Sequence, residues 1–236
     1  MSSPVSESAE RRRPLVVAVD GPAASGKSST ALWVARELGF RHIDSGAFYR
    51  AATAAALRAD ADSATWTEES VLRAAASVGF APGETSFHPL IDGKPVDEVL
   101  RGADVTGNVS LVAKMPNVRA WANEMVRHAA EGHAVVVDGR DMGTAVFPKA
   151  RVKIFLIADP WERARRRLLQ RLSRLPSDEE IAEETDALVQ RDAKDESQTQ
   201  RASDAVLIDT TYLTQQEQVE RIVALARRAL RGLTWP

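Results

Sequence analysis

The chain has 236 residues, 44% hydrophobic and 27% charged, with 31 Lys and Arg against 33 Asp and Glu and no Cys. That composition excludes a disordered chain, a collagen and a disulfide-stapled miniprotein, and the length fits one larger domain or a core with insertions. A net charge of −2 argues against duplex nucleic acid as the default partner, and the lack of Cys excludes disulfides, thiolate metal sites and Cys nucleophiles while being compatible with a reducing compartment.

Residues 1–14 read as a flexible tail. Arg11-Arg12-Arg13 ahead of an apolar run has the outline of a twin-arginine signal. The run stops after five residues at Asp20, so 15–19 (LVVAV) is predicted as a strand. A helix follows from Ser28 to Leu38, then a weaker strand at 40–43, an Ala-rich helix from Gly46 to Ala59, and a helix opened by a Thr65-x-x-Glu68 capping box. The stretch 79–108 is dense in Gly, Pro and Asp and predicts short strands joined by turns, a small antiparallel insert. Asn108-Val109-Ser110 matches the glycosylation triplet and, without a secretion signal, is taken as chance. Beyond it come a helix over Pro116 to Ala130, strands at 134–137 and 152–158, and helices over Pro160 to Leu172 and Ser177 to Lys194. A last strand at 205–208 and a helix opened by Thr214-x-x-Glu217 finish the series. The strands are Val- and Ile-rich without alternation, as strands buried on both faces are, so the pattern predicts a doubly wound α/β sheet. No apolar run approaches the roughly 18 residues of a spanning helix, and a cytoplasmic protein with no membrane partner is expected.

The chemistry begins in the loop after the first strand. Gly21-Pro22-Ala23-Ala24-Ser25-Gly26-Lys27-Ser28 fits GxxxxGK[ST] and stands between a buried strand and a helix, with Ser29 next. Glycines there let backbone N–H groups and the helix N-terminus face a phosphate. Lys27 would reach the outer phosphates of ATP, and the Ser28 hydroxyl would hold Mg²⁺. AVVVDGRD puts Asp138 at a strand end, where the second acid of the Mg²⁺ shell belongs, although an Asp after a strand is also a common turn residue.

Only six of the 31 cations are Lys. The Arg bias fits bidentate grip on phosphate, and equally a GC-rich genome. Arg163, Arg167, Arg171 and Arg174 are spaced to share a helix face, widened by Arg165 and Arg166. Like charges so close need an anion. A triphosphate in transfer is one candidate; a solvated face balanced by the acidic run from Asp178 to Asp186 is the other. No guanine-recognition motif of a GTPase is present, and a short α/β chain with an insert and an Arg-rich helix fits a small-molecule kinase. A hydroxyl acceptor benefits from a general base, whereas a phosphate acceptor needs only cations to seat it. Arg50, Arg140 and the arginines of the Arg-rich helix could supply them.

DGPAASGKSS, HIDSGAFYRA, VVDGRDMGTAVFP, VKIFLIADPWERARRR and DAVLIDTT closely resemble bacterial cytidylate kinase, the (d)CMP kinase family of P-loop nucleoside monophosphate kinases, from about Leu15 to Thr211. The resemblance implies a P-loop kinase fold with a five-stranded parallel sheet flanked by helices, a small β-rich nucleotide-binding insert at about 79–118 and a lid at about 160–200, in a core running from 15 to 236. It implies Mg²⁺-dependent transfer from ATP to CMP or dCMP by a monomer with no obligate protein partner. Carried over by position, Asp44, Ser45 and Arg50 hold the acceptor end, with Arg140 joining Arg50 on the phosphate. Ser110, Arg119 and Asp141 read the cytosine, and Arg191 and Asp195 hold the sugar. Lys27, Arg140, Arg163, Arg166 and Arg167 neutralise charge during transfer. Gln198 stands where a second Arg is usual, and an SPLR stretch is missing between Asp195 and Ala205. Alternatives are a P-loop kinase for UMP or a small hydroxyl metabolite, and an ATP-binding regulatory module without turnover.

Overall fold

A computed structural model describes residues 15–231; the tail at 1–14, with its arginine run, lies outside them. Strand β1 (Val16–Asp20) is followed by α1 (Lys27–Leu38), β2 (Arg41–Asp44), α2 (Ser45–Ala59) and α3 (Glu68–Ala75). Three short strands come next, β3 (Val78–Pro82), β4 (Phe87–Ile91) and β5 (Lys94–Pro95), then α4 (Ala103–Val112) and α5 (Pro116–Ala130). The chain continues through β6 (Val135–Gly139), β7 (Val152–Ile157), α6 (Pro160–Arg171), α7 (Asp178–Asp195), β8 (Val206–Asp209) and α8 (Gln215–Ala229).

Five strands form one sheet in the order β2-β6-β1-β7-β8, and every pairing is parallel. All five residues of β1 and of β6 are buried. Their side chains alternate between two cores, as the period of a strand requires. Val17, Val19, Val136, Ile154 and Leu156 face one way and pack on Val34 of α1 and Val219, Ile222 and Val223 of α8. Val16, Ala18, Val135 and Val137 face the other way and pack on Phe48 and Tyr49 of α2 and Ala122 and Val126 of α5. Each of the Val, Ile, Leu and Phe side chains contributes about 1.5–3 kcal/mol. This two-sided burial is why the strands read as continuous apolar runs.

The second sheet is the antiparallel set β3-β4-β5, joined to the main sheet by a single bridge between His42 and Ser86. Within the stretch expected to be short strands and turns, Ala103–Val112 is instead helical. Its Val105, Val109 and Val112 recur at four and three and bury one face, which outweighs the weak propensity of Gly107. The capping box also moves. Thr65 Oγ1 is bonded to Asp60 and Asp62, so Thr67 caps α3 with Ser70 as its partner. The box at Thr214 forms as expected, and Ser177 with Glu180 makes another at the start of α7. Helices α6 and α7 form a hairpin whose Ala164, Leu168, Ile181 and Leu188 pack on Ala23 of the loop after β1. No helix among the described residues is long and apolar enough to cross a membrane.

Candidate active site

Ligands of open parallel sheets bind outside the carboxyl ends of the strands. Here those ends bring together Asp20 of β1, Asp44 of β2 and Asp138 of β6, because Asp20 pairs with Gly139 and Asp44 with Asp138. The loop 21–26 leaves β1 against β7. Gly21 lies so close to the carbonyl of Leu156 that a Cβ would clash, and Gly26, at φ 83°, turns the chain into α1. Helix α1 has no side-chain cap and no acid in its first turn, so its N–H groups face the cleft without a protein anion.

Lys27 folds back over the loop, its Nζ donating to the Pro22 carbonyl at 3.0 Å. Burial, and then the Arg140 cation, push it down to about 7, against the pull of Asp138 and Asp44. Ser28 Oγ donates to Asp138 Oδ2 at 2.5 Å. Asp138 Oδ1 lies 2.6 Å from His42 Nε2. Burial alone would raise the Asp138 carboxyl, but His42, Lys27 and Ser28 outweigh it and hold it below its ordinary value. A hydroxyl and an ionised carboxylate, both hard oxygen donors beside a phosphate loop, fit Mg²⁺, which takes few protein ligands and completes its shell with phosphate oxygens and water. His42 is a participant that the sequence reading missed. It lies in a strand-like run, and only the β2–β6 pairing aims it at Asp138.

Beside the loop is a group of arginines. Arg140 Nη1 donates to the Gly21 carbonyl at 2.7 Å, and its Nη2 donates to Asp195 Oδ2 at 2.9 Å. Arg191 Nε lies 3.9 Å from the same carboxylate and is buried without a hydrogen-bond partner. Burial, with Arg140, Arg50 and Arg167, lowers the Arg191 pKa against the pull of Asp195. Arg50 leans on Asp44 at 3.4 Å across Gly46. The cluster has more cations than carboxylates, as an anion site requires.

Further along the cleft, Arg119 Nη2 donates to Asp141 Oδ2 at 2.5 Å. Burial raises the Asp141 pKa despite Arg119. The main chain after Asp141 is held by Asp20, whose carboxylate accepts the N–H groups of Met142 and Gly143 at 2.8 Å each. Ser45 is buried against Gly139, where a Cβ would press on its hydroxyl. Ser110 is half-buried on α4 and makes no hydrogen bond to Arg119 or Asp141 among the described residues.

The arginine face of α6 is divided. Arg163 is buried and donates to the Ala23 carbonyl and to Asp192. Arg166 binds the carbonyls of Thr210 and Thr211. Arg167 and Arg171 pair with Glu184, and Arg174, beyond the helix end, pairs with Glu180. The acidic helix α7 therefore neutralises much of this face, so for Arg167, Arg171 and Arg174 the second of the two expectations holds, balance by the acidic run from Asp178 to Asp186. Asp192, overlooked between Arg191 and Asp195, also accepts the Ala23 N–H.

One side of the cleft can hold a polyphosphate, and the other can seat a second anion among arginines. Phosphoryl transfer between two anions needs both, and in class the molecule is a P-loop kinase. The family model for cytidylate kinase matches residues 17–228. The cytidylate kinase of Chlorobaculum tepidum is 40% identical over 94% of this chain and 97% of its own length. That of Geobacillus kaustophilus is 43% identical over 93% and 99%, and that of Limosilactobacillus fermentum 39% over 91% and 96%. The chain belongs to the cytidylate kinase family.

Proposed function

We propose that the protein transfers the γ-phosphoryl group of ATP to CMP or dCMP, giving ADP and CDP or dCDP. The observation that carries the choice of base is the Arg119–Asp141 pair, with Asp141 one residue from Arg140. Cytosine offers an amino donor beside ring acceptors, so a carboxylate takes the former and an arginine serves the latter. Uracil reverses the donor pattern and would leave both protein groups unpaired, which is how such a pocket rejects an analogue.

The roles follow from position. Lys27 and the N–H groups of loop 21–28, with Ser29 beside them, bind the ATP phosphates. Ser28 and Asp138 hold Mg²⁺, which when bound neutralises charge on the outer phosphate oxygens. Arg50 and Arg140, with Arg191 beside them, seat the acceptor phosphate in line, Asp44 and Ser45 shape that end, and Arg191 and Asp195 hold the sugar. An oxygen of the CMP phosphate forms the new bond to the γ-phosphorus as the bond to the bridging oxygen of ADP breaks. No general base is required, since that oxygen is already anionic. Arg163, Arg166 and Arg167 belong to the hairpin that serves as the lid over ATP, within 160–200, and excludes water from the transfer. The insert at 79–118 carries Ser110 to the nucleotide side. The enzyme acts in the cytoplasm as a monomer.

The test is ADP formation from Mg-ATP with CMP, dCMP, UMP and AMP offered separately. Turnover concentrated on CMP and dCMP is expected. Equal turnover on UMP removes Arg119 and Asp141 from base selection, and no turnover on any of the four overturns the reading.

A further inference from the structure

His42 is a polar ring in a strand that otherwise serves the core. It is buried in β2, next to the fully buried Ile43. A buried polar group left unpaired costs free energy. The ring makes one hydrogen bond among the described residues, from Nε2 to Asp138 Oδ1 at 2.6 Å. An ionised carboxylate has only acceptors to offer, so the ring nitrogen is the donor. Strand register brings the two together. His42 pairs with Val136 and Asp44 with Asp138, which makes His42 and Asp138 diagonal neighbours on one face of the sheet. On that face Val136 packs against Val34 of α1, the helix whose first turn carries Ser28.

The two oxygens of Asp138 therefore have different partners. Oδ1 is tied to His42, and Oδ2 accepts the Ser28 hydroxyl at 2.5 Å. Anchoring one oxygen fixes the plane of the carboxylate and so the direction of the other. The anchor is itself rigid. On one edge the main chain at His42 is paired with β6, and on the other its N–H donates to the Thr85 carbonyl at 2.9 Å. Asp138 is 1% exposed, so solvent is not at hand to take the place of the ring. The neutral ring in its Nε2–H form makes this bond as the cation does, and the arrangement does not depend on the charge of His42.

We propose that His42 is a positioning residue for the metal site: it holds Asp138 by Oδ1 so that Oδ2 is presented beside Ser28 as the oxygen offered to Mg²⁺, a role that rests on the proposed holding of Mg²⁺ by Ser28 and Asp138. His42 touches neither nucleotide nor metal in this role and acts through Asp138 alone. Partners that orient a metal ligand in this way are worth about tenfold to a hundredfold in metal affinity.

The test is calorimetric binding of the β,γ-imido analogue of ATP, with Mg²⁺ and with EDTA, to wild type, His42→Leu, His42→Asn and His42→Gln, each checked for folding by thermal melting. Wild type should bind the analogue more tightly with Mg²⁺. His42→Leu, which loses the donor, should cut that gain by about tenfold or more, with the affinity in EDTA and the KM for CMP unchanged. His42→Gln places an amide nitrogen as many bonds from Cα as Nε2 and should restore the gain. His42→Asn falls one bond short and should lose it, and it carries the comparison with His42→Gln should His42→Leu not fold. Equal weakening with and without Mg²⁺, a folded His42→Gln without the gain, or a folded His42→Asn that keeps it all would overturn the proposal. Wild type whose affinity for the analogue is indifferent to Mg²⁺ overturns the metal role of Ser28 and Asp138 first, and that of His42 with it.

Discussion

Asp192 and Arg163 together clamp both main-chain polar groups of one residue, Ala23, in the phosphate loop. Asp192 Oδ1 accepts the Ala23 N–H at 3.0 Å, Arg163 Nη1 donates to the Ala23 carbonyl at 2.8 Å, and the two side chains meet at 2.5 Å. One comes from α7 and the other from α6, so both helices of the hairpin grip the loop. Asp192→Ala would strand a buried guanidinium. Removing one partner of a fully buried pair costs about 3–5 kcal/mol. Because the Asp192 side chain is 24% exposed, about 2 kcal/mol is expected after allowing for solvent screening. KM for ATP should rise as the loop loosens. Urea unfolding and ATP kinetics measure the two effects, and unchanged values in both would mean that the clamp is ornamental.

The depressed Lys27 ammonium makes a statement about pH. With its folded pKa near 7 and its ordinary value 10.5, the unfolded chain binds more protons between those limits, so this group makes the free protein more stable as pH rises from 7 toward 10.5. A polyphosphate favours the charged form. Binding of Mg-ADP at pH 8 should therefore take up close to one proton, measured calorimetrically in buffers of different ionisation enthalpy. Lys27→Arg, permanently charged, should take up none. Lys27→Ala should keep its fold and lose turnover; near-normal turnover would remove the loop from the chemistry.

Much of this site is legible in the chain because it is local. Gly21 to Ser28 is contiguous, and Asp138 is marked by the strand before it. Arg119 and Asp141 lie 22 residues apart and meet only through the packing of α5 beside the end of β6, so resemblance rather than pattern found them. His42 and Asp192 escaped because their partners are set by strand register and by the hairpin resting on the loop. The shared face of Arg167, Arg171 and Arg174 and the acidic run from Asp178 to Asp186 are both legible in the sequence, but only the α6–α7 hairpin decides that the acids rather than a ligand meet those cations. Glu180 and Glu184 are what those cations meet.

Asp141→Asn is the most direct probe of base choice. It keeps the volume and replaces a carboxylate oxygen, proposed to accept the cytosine amino group, with an amide that can donate to uracil. It also weakens the hold on Arg119. A site built to pair a polar group rejects the wrong partner by factors of up to about 10⁴, so kcat/KM for CMP should fall by about 10²–10³ while that for UMP holds or rises. The same substrate panel reads the result. A proportional fall on both nucleotides would mean that Asp141 supports the fold of the pocket without reading the base.

Asp20 ties the turn after Asp141 to acidity. Burial pushes its carboxyl up to about 6, partly offset by the N–H groups of Met142 and Gly143. Its folded value lies above the ordinary 3.8, so the folded protein holds this proton to higher pH than the unfolded chain does. The group's stabilisation is complete below about pH 4 and is lost as pH rises through 6, a swing of about 3 kcal/mol at most. The ionised carboxylate accepts both N–H groups that follow Asp141, which sets the direction of that side chain and explains why a costly buried charge is placed there. Asp20→Asn cannot ionise and keeps only one acceptor. Relative to wild type it should gain about 2 kcal/mol between pH 4.5 and 7.5 in urea titrations, while its KM for CMP rises because the turn at Met142 is less firmly held. A stability difference that stays flat across that range would show that Asp20 does not carry the proton assigned to it.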